Sequence, residues 1–177
     1  MLWDADVRLF YLLNSGFINP FFDLIMPFVS ALATGEFLAL VGMVLFVSRK
    51  KEYKTAGLLL LAGLTLSYNI VFILKYLIAR PRPYMFLAGV HLLAESDGPS
   101  LPSAHTVMAF MAATVIAPAV KRYVAVIVFI LAAIAGFSRI YLGVHFPLDV
   151  LAGAVIGCTL GYILIRIWEN TGFSLKE

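Results

Sequence analysis

Three short polar stretches hold the residues that could do chemistry. The first runs from Lys75 through Arg80 to Arg82-Pro83. The second is Pro102-Ser103-Ala104-His105. The third opens with Ser138-Arg139 and closes with His145, Pro147 and Asp149. All three lie between long apolar segments, where ionisable groups are expensive and mark functional sites by default. Lys75, Arg80 and Arg82 place three cations within eight residues and no acid among them. They repel one another unless an anion joins them. Ser103 is placed to cap a helix whose first turn carries Ala104 and His105. A helix start offers unpaired N–H groups and a positive dipole end, which suit phosphate. His105 there is placed to donate a proton. Asp149, four residues after His145, can reach back to one ring nitrogen. That would fix the tautomer, free the other nitrogen to attack and stabilise the imidazolium. A histidine held so is a candidate nucleophile at phosphorus.

Each stretch also has a plainer reading. Cations near a helix end can snorkel to lipid headgroups. A first-turn histidine can be an interfacial residue, and Asp149 can serve as a helix cap. Capping and orienting His145 are compatible.

The elements that must position these groups follow from composition. The chain has 177 residues, 62% hydrophobic and 13% charged. Soluble domains are about 45–50% apolar and about 25% charged. An all-α integral membrane protein is therefore expected, a single domain over residues 1–177. Apolar runs predict spans near 33–48, 55–79, 103–119, 124–140 and 147–168, carried by a transmembrane bundle over 35–170. Residues 1–34 are expected as an interfacial or re-entrant helical hairpin, since Asp4, Asp6, Arg8 and Asn19-Pro20 interrupt the apolar pattern. A short sixth span is the alternative, so the bundle has five to six transmembrane helices. Thr65, Ser67 and Asn69 are expected to bond between helices. Gly153, Gly157 and Gly161 lie on one helix face and are expected to pack within the bundle. The lone Cys158 forms no disulfide within the chain. A net charge of +3 gives no reason to expect nucleic acid as a partner.

Span parity puts all three stretches at one membrane face. Arg49, Lys50, Lys51, Lys54, Lys121, Arg122, Arg166 and Lys176 gather at the other. The excess of positive charge predicts that second face, and the C-terminus, to be cytoplasmic. The chemistry is then expected at the periplasmic or outer face of a bacterial cytoplasmic membrane.

Taken together, Lys75 with Arg82-Pro83, then Pro102-Ser103-Ala104-His105, then Ser138-Arg139 with His145 and Asp149, resemble the three-part signature of the type-2 phosphatidic-acid phosphatase and vanadium haloperoxidase superfamily. Each part is weak alone, and the three in this order are specific. The resemblance covers residues 75–149 directly, and it is to the small bacterial membrane lipid phosphatases. It implies a hydrolase without metal or other cofactor that works through a phosphohistidine. Carried onto this chain, it implies His145 as nucleophile, Asp149 as its orienting partner and His105 as the acid for the leaving group. It implies phosphate binding by Lys75, Arg82, Ser103, Ala104 and Arg139. Ala104 stands where the family usually has glycine. Arg80 lies outside the signature and is a candidate for substrate selection.

A site at the membrane face favours a phosphorylated membrane lipid as partner, with no oligomer required. Undecaprenyl pyrophosphate and lipid A 1-phosphate fit a compact bacterial member, ahead of phosphatidylglycerol phosphate and phosphatidic acid. The loop from Tyr84 to Leu101 is expected to be an interfacial lid. Other classes are a lipid phosphotransferase, which would share the site, and a non-catalytic lipid-binding or transport protein, which would not need His105, His145 and Asp149 together.

Overall fold

The structure, a computed structural model, describes residues 2–171. Among these residues every regular element is helical. They are α1 (Leu2–Ser15), α2 (Pro20–Ala31), α3 (Gly35–Phe46), α4 (Lys51–Ile78), α5 (Ala104–Ile116), α6 (Arg122–Tyr141) and α7 (Pro147–Asn170). Local chemistry sets several of the boundaries. Asn19 caps α2 by accepting from the Phe22 N–H, and Thr34 caps α3 through the Phe37 N–H. Pro147 opens α7, where its missing N–H costs nothing. α4 stops at Ala79, which adopts a left-handed conformation (φ 49°, ψ 34°) ahead of Pro81.

The protein is an integral membrane protein. α4, α6 and α7 are each long and apolar enough to cross a bilayer. The runs at 33–48 and 103–119 become α3 and α5, helices of 12 and 13 residues. At 1.5 Å per residue these span about 18–20 Å, short of a ~30 Å hydrocarbon core. α1 and α2 meet at a bend of 113°. α1 is more deeply engaged than an interfacial helix would be. Asp6, Phe10 and Asn14, spaced four apart on one face, are all buried. From α1 the chain descends: Asp23 of α2 meets Tyr141 near the end of α6, and Ser30 meets Arg139.

The core lies between α3, α4, α5 and α7, built on Leu38, Leu60, Val107, Met111 and Leu160. α7 runs directly along α5. A methyl group added at Gly157 would meet the backbone of Val107 and Met111, and one at Gly161 would meet Thr114. The glycine stripe is used inside the bundle, as expected. Thr65 and Asn69 depart from expectation: their side chains bond back to Leu61 and Thr65 of their own helix. Both are exposed on the outward side of α4.

The charged termini of the helices sort by end. Arg49, Lys50, Lys51, Lys54, Lys121, Arg122 and Arg166 lie at the start of α4, the start of α6 and the end of α7, opposite the three polar stretches. Lys176 lies outside the described residues.

Candidate active site

The three stretches meet where α4 and α6 end and α5 and α7 begin. The α6–α7 turn is built first. Gly143 sits at φ 81°, and a methyl group there would lie 2.7 Å from the His91 carbonyl, so the position requires glycine on both counts. The turn brings His145 to the bundle interior, where it is 2% exposed. Its Nδ1 lies 3.5 Å from Asp149 Oδ2 and its Nε2 lies 3.4 Å from an Arg82 nitrogen. Asp149, wholly buried, accepts from the Phe146 N–H at 2.8 Å, so it caps α7 and faces His145 together. Burial holds the His145 imidazole down at a pKa of about 4, against the opposing pull of Asp149. The ring is neutral at pH 7, with a lone pair available.

Among the described residues, the three cations around it have no carboxylate within ion-pair distance. Arg82 donates to the carbonyls of Asp97, Gly98 and Val144, at 2.9–3.0 Å. Lys75 donates to the Pro99 carbonyl at 2.6 Å. Arg139 donates to the Ser30 hydroxyl at 2.5 Å and to that of Ser96 at 3.2 Å, and its Nε is buried without a partner. These bonds satisfy donors while leaving the charge uncancelled. His105, in the first turn of α5, feels the charges of Arg139, His145, Lys75 and Arg82. Each of the three polar stretches thus contributes to one site, and the positive field is shared. Among the described residues, no group of three His, Cys, Asp or Glu side chains could hold a metal ion.

Ser103 takes the position before α5, as expected, but its hydroxyl does not cap the helix. It accepts instead from Thr106 at 2.9 Å, while the Ser103 N–H donates to the Asp149 carbonyl at 3.1 Å. That second bond ties the start of α5 to the start of α7. Ala104 begins α5 in ordinary helical geometry, with no positive φ. Its N–H and that of His105 have no carbonyl one turn earlier in the helix. Glycine is therefore not required at this position.

Arg80 has two carboxylate neighbours. Both terminal nitrogens are committed, one to Asp149 Oδ1 and one to Asp6 Oδ2, each at 2.5 Å. The guanidinium lies 4.1 Å from the centre of the Phe146 ring. These two bonds engage one N–H of each terminal nitrogen and turn the group toward the protein interior.

Several residues around the site are absent from the sequence reading. Asp6 was read as an interruption of an interfacial helix. Asn14 receives the His91 N–H and donates to the carbonyls of His91, Ile140 and Tyr141, fastening the loop 86–101 to the end of α6. His91 pairs with Asp23 at 2.8 Å, and Tyr141 donates to the same oxygen. The available signal was the four-residue spacing of Asp6, Phe10 and Asn14. The loop is fastened at several points, and its carbonyls hold the cations. An apolar groove of about 210 Å³ between α4 and α5 reaches the site at Lys75 and Ala104, passing Val71, Phe72 and Met108.

Residues 56–173 match the model of the PAP2 superfamily. The undecaprenyl-diphosphatase of Sulfolobus acidocaldarius is 29% identical over 123 residues, 69% of this chain; the chain spans only 59% of that relative's length. The crystal structure of LpxE from Aquifex aeolicus superposes with a TM-score of 0.81 at 36% identity, covering 90% of this chain and 93% of that one. The Bacillus subtilis transmembrane PAP2-type phosphatidylglycerolphosphate phosphatase gives 0.80 at 26% identity, covering 96% and 87%. With the match spanning most of the chain and the polar stretches meeting at one site, this chain belongs to the PAP2 superfamily.

Proposed function

We propose that the protein is a metal-independent phosphatase of a membrane lipid phosphate or pyrophosphate, working through a phosphohistidine at His145. The observation that carries this reading is the pairing of a neutral, Asp149-backed imidazole with cations that, among the described residues, have no direct carboxylate partner. Lys75, Arg82 and Arg139, with the first N–H groups of α5 and Ser103, receive the phosphate. His145 Nε2 attacks phosphorus as the bond to the lipid oxygen breaks. His105 gives that oxygen its proton, and a bound phosphate anion favours the protonated form this step needs. Positive charge arising on His145 is stabilised by Asp149. Water, giving its proton back to His105, then attacks the phosphohistidine and releases phosphate and free His145. Phosphoryl transfer needs mainly positioning and electrostatic stabilisation, which cations and a helix end supply.

The reading includes an outer-face site. The lysine and arginine excess at the opposite end supports a cytoplasmic location for that end and for the C-terminus. The relatives' names support an envelope lipid, with undecaprenyl pyrophosphate, lipid A 1-phosphate and phosphatidylglycerol phosphate as first candidates. The groove at Lys75 and Ala104 suits the hydrocarbon chain next to such a headgroup.

The test is phosphate release from a panel of purified lipid phosphates in detergent. Wild-type protein should hydrolyse at least one of them, resist a chelator and be inhibited by vanadate, a mimic of pentacoordinate phosphorus. A strict Mg²⁺ requirement would overturn the mechanism. No release from any lipid in the panel would overturn the substrate class.

A further inference from the structure

Asp6, Arg80 and Asp149 form a line of alternating charge that ends at His145. Asp6 lies on α1, outside the residues matched by the family model. Its Oδ1 accepts from the Leu148 N–H at 2.9 Å, and its Oδ2 pairs with Arg80. Arg80 passes that charge contact on to Asp149 Oδ1. Asp149 Oδ2 faces His145 Nδ1 at 3.5 Å, and that nitrogen is buried with no closer partner among the described residues. The line is well shielded: the side chains of Asp6 and Asp149 are 1% and 0% exposed, and that of Arg80 is 10%. Arg80 is further held between the rings of Trp3 and Phe146, at 5.0 and 4.1 Å. Its approach is prepared by Ala79, whose left-handed turn ends α4 immediately before it.

We propose that Asp6 and Arg80 are positioning residues for the phosphohistidine step, fixing both the orientation and the effective charge of the carboxylate behind His145. The proposal rests on His145 being the nucleophile. Arg80 alone would draw Asp149 away from the imidazolium and weaken it. Asp6 balances Arg80, so that Asp149 keeps its hold on the ring. The three formal charges sum to −1. On its other side lie Arg82 from the loop, Arg139 from α6 and His105 from α5, and the charges of Arg82 and Arg139 oppose protonation of the ring. Asp149 is thus the group behind the ring that favours its charged form, and its effective charge depends on Arg80 and Asp6. The amino-terminal helix completes the site by supplying one member of the line.

The inference is tested by the acid limb of kcat/KM for one lipid substrate, measured on full-length protein. Asp6→Asn makes the sum 0. Its acid limb should move to lower pH, and kcat should fall about 10–100-fold with KM nearly unchanged, the scale typical of groups one step behind a reacting centre. Arg80→Gln makes the sum −2, and its limb should move to higher pH. The double variant restores −1, and its midpoint should return to that of the wild type. Arg80→Lys keeps the charge and should keep the midpoint. Two single variants shifting in the same direction, or not at all in folded protein, would overturn the proposal. If Arg80→Gln does not fold, Asp6→Asn and Arg80→Lys decide: a midpoint lowered in the first and held in the second supports it, and any other pair of results overturns it. Activity surviving in His145→Ala would instead overturn the nucleophile reading on which it stands.

Discussion

The two sides of His145 treat buried cations in opposite ways. Behind the ring, Arg80 is bracketed by two carboxylates. In front of it, among the described residues, Lys75, Arg82 and Arg139 bond to carbonyls, hydroxyls and the His145 ring, with no carboxylate within ion-pair distance. Neutral oxygens satisfy N–H donors and leave positive charge in place. A carboxylate would cancel it. The difference separates a cation that belongs to the protein's own structure from cations kept for a ligand. It also has a cost, since burial works against the Arg82 charge. A bound phosphate removes that cost, so affinity comes partly from relieving an uncompensated field.

The contrast can be broken most severely at the front. Arg82→Ala or Arg139→Ala should lower kcat/KM by about 10²–10³, the usual loss for one donor to a developing anion. Phosphate release by the purified variants checks this, and a loss no greater than a few fold would show that the front cations are structural. Behind the ring, Arg80→Met should act first on stability. It strands two buried carboxylates, and breaking a buried pair typically costs about 3–5 kcal/mol. Thermal unfolding in detergent should show a larger loss for Arg80→Met than for Arg139→Ala. The reverse order would erase the distinction between the two sides.

Smaller effects sharpen it. Ser30→Ala and Ser96→Ala each remove a hydroxyl from Arg139, at about 1 kcal/mol per bond. Each should slow turnover about fivefold, while the pH profile stays put. The neutral state of His145 leaves a thermodynamic trace as well. Its folded pKa, about 4, lies below the unfolded value of 6.5. Between those values the unfolded chain binds the proton and the folded chain does not, so stability falls as pH drops from 6.5 towards 4. Unfolding midpoints should therefore fall less steeply over that window in His145→Gln than in wild type. The smallest change is expected at Ala104→Gly, because residue 104 is already helical. Activity should stay within about twofold, and stability should fall by about 0.5–1 kcal/mol.

What could be read from the sequence was what side-chain identity and spacing carry. The end of α4 near Ala79, the starts of α5 and α7, the meeting of His145 with Asp149 and the inward glycine face of α7 all follow from local rules. The holders of the cations do not. Asp97, Gly98 and Pro99 act through backbone carbonyls, which every residue possesses and no residue type announces. Asp6 meets Arg80 across 74 positions, and the four-residue spacing of Asp6, Phe10 and Asn14 marks a shared face without naming the partner which that face meets. The orientation of Arg80 depends on the left-handed turn at Ala79, a conformation alanine seldom adopts. The short lengths of α3 and α5 escaped for a related reason: apolar runs mark what is buried in lipid or protein, and do not separate the two.

The central claim is that phosphate passes through His145. The direct measurement is rapid-quench trapping of the enzyme with a lipid labelled in its phosphate. A labelled protein, stable in alkali and labile in acid, with the label mapped to His145 and absent from His145→Ala, is the predicted result. Label retained in His145→Ala, or hydrolysis at full rate in that variant, would contradict it.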